Sequence, residues 1–201
     1  RRAGEAVMAQ DAVNPLIQPR KAWQYLPGQR RVKLAPDIAY DTPNPGTAGS
    51  STYDDVGIFN GAMDRFDFKL LGKKEMYIPY NTYKRNDEKE PAEYITEDHI
   101  NPDYRRWEKH RVGVVEATLK PDKRHIYKTR IFYLDEDSWR AVASDQYDMR
   151  DGLYRGSFSH GAVNWEMRTG AGSSVIYDLI SGTYNASGIF GPFGGVKYIK
   201  P

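Results

Sequence analysis

The chain has 201 residues, 29 basic and 27 acidic, and its net charge of +2 gives no warrant for a nucleic-acid or membrane-surface partner. It has no cysteine, which excludes disulfides, thiolate nucleophiles and zinc–thiolate sites. No apolar run approaches the roughly 18–20 residues that a membrane-spanning helix needs, and the length suits a single all-β domain over residues 1–201.

Arg1 opens the chain in place of methionine, with no signal-peptide pattern behind it, so a processed or truncated piece of a longer precursor is expected. Residues 2–11 read as a strand. Asn14-Pro15 and Gln18-Pro19 form a connector that cannot stay helical. Residues 21–26 alternate as a strand, Pro27-Gly28 turns, and residues 30–34 return. Residues 41–52 are loop. Residues 54–59 fit one short helical turn capped by Ser51 or Thr52. Residues 67–80 read as a strand pair or one bent strand, with Gly72-Lys73-Lys74 as turn or bulge. The mixed charges of residues 84–91 suit a solvated loop.

Residues 107–119 form a strand with an apolar centre, and Pro121-Asp122-Lys123 turns. Two strand-like runs follow, 126–134 and 138–147, separated by Asp135-Glu136-Asp137. Asp151-Gly152 turns into a further strand over 153–158. A late hairpin pairs 173–179 with 183–190 around Ser181-Gly182, and residues 191–195 are loop. The pattern predicts a meander of long antiparallel strands, with no tandem repeat, heptad or long amphipathic helix.

Little in the chain points to catalysis. None of the four histidines (His99, His110, His125, His160) falls in a metal-binding spacing, so neither a metal nor a cofactor is expected. Ser157 and His160 sit three apart and would face opposite sides of a strand. The carboxylates of Asp135, Glu136, Asp137, Asp145 and Asp148 read as turn residues and hairpin ends. Arg105, Arg106, Lys109, His110 and Arg111, interleaved with Tyr104 and Trp107, read as a solvated face. The chain is expected not to be an enzyme.

Three segments carry a resemblance to a known family. The first is Arg20-Lys21-Ala22-Trp23-Gln24-Tyr25-Leu26-Pro27-Gly28-Gln29-Arg30-Arg31-Val32. The second is Tyr53-Asp54-Asp55 with Phe59-Asn60-Gly61, then Asp64-Arg65-Phe66-Asp67 and Lys69-Leu70-Leu71-Gly72-Lys73-Lys74-Glu75. The third runs from His110-Arg111-Val112 through Arg124-His125-Ile126-Tyr127 to Ser138-Trp139 and Asp145-Gln146-Tyr147-Asp148. In their order and spacing the chain resembles a family of bacterial envelope proteins of unknown function, outer-membrane lipoprotein-sorting-like, within the LolA/LolB superfamily. The resemblance implies a mainly β fold: a strongly curved antiparallel sheet, an incomplete half-barrel, with a few short helices or loops on its concave face. Family members carry a further N-terminal part with a signal sequence, and the anchored ones a lipobox cysteine. This sequence shows neither.

The function implied is that of a periplasmic carrier for a lipid, a lipoprotein acyl chain or another hydrophobic molecule, associated with transport to or across the outer membrane. Six large strand residues are the candidates for its hydrophobic concave face: Trp23, Tyr25, Phe68, Ile131, Tyr133 and Trp139. The alternative is an envelope adaptor that docks another protein, or the missing N-terminal half, through a sheet edge or aromatic face. A hydrolase or isomerase using a barrel pocket is the third reading. An open apolar cavity supports the carrier, an exposed flat apolar patch the adaptor, and converging titratable groups the enzyme.

Overall fold

In the computed structural model, which describes residues 3–14, 17–86, 90–164 and 169–189, the alternating runs assemble into two antiparallel sheets. The smaller has the order β1 (Ala6–Gln10), β2 (Lys21–Leu26), β3 (Arg31–Leu34). Its β2–β3 hairpin closes at Pro27-Gly28, where Arg30 takes up a left-handed φ of 50°.

The larger sheet has seven strands: β4 (Phe66–Pro79), β5 (Trp107–Leu119), β6 (Thr129–Asp135), β7 (Ala141–Tyr147), β8 (Leu153–Asn164), β9 (Thr169–Asp178) and β10 (Thr183–Ser187). Each pairs only with its neighbours in sequence, so the sheet is the expected meander. It is curved and not closed into a barrel. Beyond the end of β4, Thr82 donates its backbone N–H (3.1 Å) and its hydroxyl (3.0 Å) to the carbonyl of Gly161 on β8. The chain leaving β4 thus reaches a strand four places away, which curls the sheet over the face that carries Ile131 and Tyr133.

β4 is one bent strand. Its register with β5 shifts between Leu70 and Gly72, where Gly72 has φ +127°, a conformation that side chains with a Cβ rarely adopt. The shift exchanges the faces. Phe68 stands opposite Ala117, on the face of Arg130 and Phe132, whereas Lys74 stands opposite Val112, on the face of Tyr133.

Both faces are covered. On the Arg130 face, Ile58 from the long β3–β4 connection packs with Phe66, Ala117 and Phe132. On the Tyr133 face, Ile78, Val112, Tyr133, Val142 and Ala143 form one cluster, and Tyr94 and Ile100 of the β4–β5 connection pack on Val175. Ile58, Ile78 and Ile100 are fully enclosed, each contributing about 1.5–3 kcal/mol. Three short 3-10 helices lie in the β3–β4 connection, and a single α-helical turn, Pro91–Tyr94, lies in the next.

Several strand boundaries differ from the sequence reading: β8 runs on to Asn164, β9 starts earlier, at Thr169, and β10 ends at Ser187. The first strand is shorter, Ala6–Gln10. β6 starts at Thr129 rather than at residue 126, because the Ile126 N–H turns to the Asp41 carboxylate and the Tyr127 hydroxyl to buried Asp55. β7 starts at Ala141. The Asp135 carboxylate accepts hydrogen bonds from the Ser138 N–H (2.9 Å) and hydroxyl (2.6 Å), extending the turn and throwing Trp139 into a left-handed φ of 58°. The segment 191–195 lies outside the described residues.

Candidate functional site

The connection over the Arg130 face is fastened by charge. Its 3-10 helix Tyr53–Asp55 points two carboxylates into the sheet. Arg130, completely buried, donates to Asp54 at 2.8 Å, to Asp55 at 3.1 Å and to the Ile58 carbonyl at 3.0 Å. Asp55 also accepts from the Tyr127 hydroxyl (2.8 Å) and from the Thr52 N–H and hydroxyl (2.9 and 2.7 Å). Arg155 ties Tyr127 (2.9 Å), Asp178 (3.1 Å) and the Gly49 carbonyl (2.8 Å) into the same network.

His125 closes this network. Its Nδ1 accepts from the Tyr127 N–H at 3.1 Å, so its Nε2 carries the proton offered to Asp54 at 2.9 Å. Burial by itself would raise the Asp54 carboxyl, but the hydrogen bond from His125 and the charge of Arg130 outweigh it and hold it at about 2. Burial first, and then Asp55, push the Tyr127 phenol well up. Every ionised group here has a partner, and the cluster's evident role is to clamp the connection to β6, β8 and β9. A pocket of about 270 Å3 beside it has a hydroxyl-rich lining, with Thr47, Ser51, Ser157, Ser174 and Ser187.

The Tyr133 face is different. Ile131 and Phe158 pack against the Tyr133 cluster, and the Tyr133 hydroxyl donates to Asp145 at 2.7 Å. Burial, followed by that hydrogen bond, raises the phenol's pKa and keeps it protonated. Where β4 ends, the cluster opens into a pocket of about 210 Å3 bounded by Tyr80, Arg140, Val142, Ser159 and Ala162. Beside it, His110 stacks on Tyr80 with ring centres 4.2 Å apart and contacts Asp135 at 3.0 Å. His110, Asp135 and Asp137 bring ligand-type atoms within 4.8 Å of one another, a convergence that sequence spacing does not reveal. Asp135 is already engaged by Ser138 and His110.

The six residues singled out from sequence do not share a face. Ile131 and Tyr133 adjoin the pocket cluster. Phe68 lies on the opposite face, against Phe59 and Phe66, with ring centres 6.4 Å apart in each pair. Trp23 and Tyr25 belong to the smaller sheet, in register with Met8 and Leu34 and with Ala6 and Val32. Trp139, 79% exposed, sits in the β6–β7 turn outside any strand. The basic cluster is a solvated face only in part: Lys109 pairs with Glu75, Arg111 with Glu136 and Arg106 with Glu108, whereas Arg105 turns inward to the Tyr177 hydroxyl and His110 to Tyr80 and Asp135.

An open, curled antiparallel meander whose faces are covered by its own long connections defines a class of β protein, and the sequence places the chain within it. The chain belongs to the family described as Protein of unknown function (DUF1329), whose model matches residues 1–195. It is 45% identical over 191 residues to an uncharacterized protein of Pseudomonas aeruginosa, covering 94% of this chain and 42% of that protein. The chain therefore spans less than half the length of that relative. Among solved structures, it is similar to a domain from Vibrio parahaemolyticus proposed to sort outer membrane lipoproteins (TM-score 0.57, 16% identity, 92% of this chain and 64% of that one). It is also similar to a DUF1329 family protein from Desulfovibrio piger (TM-score 0.56, 15% identity, 92% of this chain and 62% of that one). At these identities the likeness is one of fold.

Proposed function

We propose that this chain is the ligand-holding β domain of an envelope carrier that binds a lipid, a lipoprotein acyl chain or another hydrophobic molecule, in the periplasm and on the way to the outer membrane. The observation that carries the reading is the opening of the apolar Tyr133 cluster into the pocket at Tyr80, Val142 and Ala162. A filled, closed core would have no such mouth. The fold shared with the Vibrio domain supports the same reading. Among the described residues no helix is long and apolar enough to cross a membrane. The role is binding without catalysis, since an acyl chain gains about 0.8 kcal/mol per buried methylene with no reactive group involved.

The second reading is the adaptor, and the smaller sheet favours it. Register places Met8, Trp23, Tyr25, Val32 and Leu34 on one face, and Met8, Val32 and Leu34 are each at least 60% exposed. Native mass spectrometry of gently purified protein, together with binding of a fluorescent fatty acid, separates the two readings. The carrier predicts bound lipid and a saturable probe site weakened by Val142→Asp. Absence of both lipid and probe binding would rule the carrier out and leave the exposed face of the smaller sheet as the functional surface.

A further inference from the structure

We infer that the pocket at the β6–β7 turn is an oxyanion site, in which Arg140 and Ser159 hold a carboxylate or phosphate group. The inference rests on the carrier reading and deepens it: the anion is the head of a single-chain amphiphile whose first methylenes lie along Val142 and Ala162. The pocket's volume, about 210 Å3, falls below the roughly 300–1,000 Å3 that encloses a whole drug-sized ligand. It suits a head group and the start of a chain.

Three independent observations support it. Arg140 lines the pocket and has no carboxylate partner among the described residues, and no pocket-lining side chain is acidic. Its guanidinium presents a planar fork that matches an oxyanion. The three acids of the same turn are engaged elsewhere: Asp135 with His110 and Ser138, Glu136 with Lys73 and Arg111, and Asp137 with His110 at 3.6 Å.

The second observation is Ser159. The residue is 8% exposed and lines the pocket, yet its hydroxyl has no hydrogen-bond partner among the described residues. A hydroxyl that reaches the pocket without a protein acceptor is free to donate to a group bound there. Ser138, by contrast, spends its proton on Asp135.

The third is a pair of glycines. Gly161 of β8 and Gly172 of β9 are partners in the ladder. A Cβ on Gly172 would come 3.2 Å from Nη2 of Arg140 and 3.3 Å from Oγ of Ser159, and one on Gly161 would come 4.0 Å from Nη1 of Arg140. The guanidinium and the hydroxyl therefore converge above a bare stretch of backbone, which leaves room for both to address one small group.

The test is calorimetric titration of the intact chain with laurate, dodecyl phosphate and dodecanol, in the parent, Arg140→Gln, Arg140→Lys and Ser159→Ala. Loss of a charge-assisted contact weakens the anionic probes roughly tenfold or more in Arg140→Gln and changes dodecanol less than about twofold. Arg140→Lys, which keeps the charge and loses the fork, falls between. Ser159→Ala weakens the anionic probes only. The tighter of laurate and dodecyl phosphate in the parent identifies the head group as carboxylate or phosphate. If Arg140→Gln weakens laurate and dodecyl phosphate no more than dodecanol, the oxyanion site is overturned while the carrier reading stands. If no alkyl probe binds the parent, the carrier reading falls. Inorganic phosphate then decides the site: amide shifts at Ser159, Gly161 and Gly172 that disappear in Arg140→Gln uphold it, and their absence overturns it.

Discussion

Arg130 and Asp54 meet at 2.8 Å with neither side chain more than 2% exposed, and this contact pins the β3–β4 connection to the middle of the sheet. Asp54 sits 76 residues before Arg130 in the chain. The pair joins the loop that supplies Ile58 and Phe59 to the strand that supplies Phe132, so the polar clamp and the apolar cluster of this face hold each other in place.

Removing one member of the pair leaves the other buried and unpaired. Arg130→Met is expected to lower stability by about 3–5 kcal/mol, because Asp54 and Asp55 both lose their guanidinium. Lys69→Met, which removes an exposed charge with no ion-pair partner among the described residues, should change it by less than about 0.5 kcal/mol. Urea unfolding followed by tryptophan fluorescence measures both. Equal midpoints for parent and Arg130→Met would show that the clamp carries no net stability.

The same clamp sets a pH dependence. Asp54 lies at about 2 in the folded chain against an ordinary 3.8. A carboxyl whose pKa is depressed on folding contributes stability in full above its unfolded pKa, and that stability is lost as pH falls through the folded one. Despite their burial, Asp135 and Asp178 shift the same way, drawn down by hydrogen bonds from Ser138 and His110 and from Ser181 and Arg155. Stability should be level from about pH 7 to 5 and fall between about pH 4 and 2, with about 2 kcal/mol of the loss coming from Asp54. Urea midpoints recorded at intervals down to pH 2.5 test this, and a midpoint that stays constant below pH 4 contradicts it.

The bulge in β4 can be tested with two glycines. A Cβ on either Gly72 or Gly156 would meet nothing within 4 Å, but only Gly72 has a positive φ, +127°. Gly72→Ala should therefore cost about 1–3 kcal/mol through backbone strain alone. Gly156→Ala should be neutral or stabilising by up to about 1 kcal/mol, since it only restricts the unfolded chain. Equal effects at the two positions would mean that the bulge is not fixed by Gly72.

The meander, the turns and the family were legible in the residues. Alternation over 107–119 and over 141–147, and the breaks at Pro121-Asp122, Asp151-Gly152 and Ser181-Gly182, depend on local periodicity and turn chemistry, which act over a few neighbours. Face assignment was not legible in the same way. Phe66, Phe68, Leu70, Gly72, Lys74, Met76 and Ile78 keep one unbroken period of two, yet the register shift after Leu70 sends the second half to the other side of the sheet. A period survives such a shift while the face does not, so Phe68 and Tyr133 end on opposite faces. Trp139 left its expected strand for an equally local reason that is hard to read in advance: the Asp135 side chain lengthened the turn.

The buried clamp was the largest surprise, and its signal was present but ambiguous. Arg130 alternates with apolar neighbours as a solvent-facing residue would, and Asp54-Asp55 reads as a helix start. Neither sequence neighbourhood contains the other. By itself the sequence determined the strands, their antiparallel order and the balance of polar and apolar faces, because each follows from contacts within or between adjacent segments. Only the tertiary structure decided that a charged pair would be buried against the sheet and that an unpartnered Arg140 would meet Ser159 above two glycines of β8 and β9. Those outcomes depend on the curl of the sheet and the path of two long connections, which are set by burial over the whole chain rather than by any local pattern.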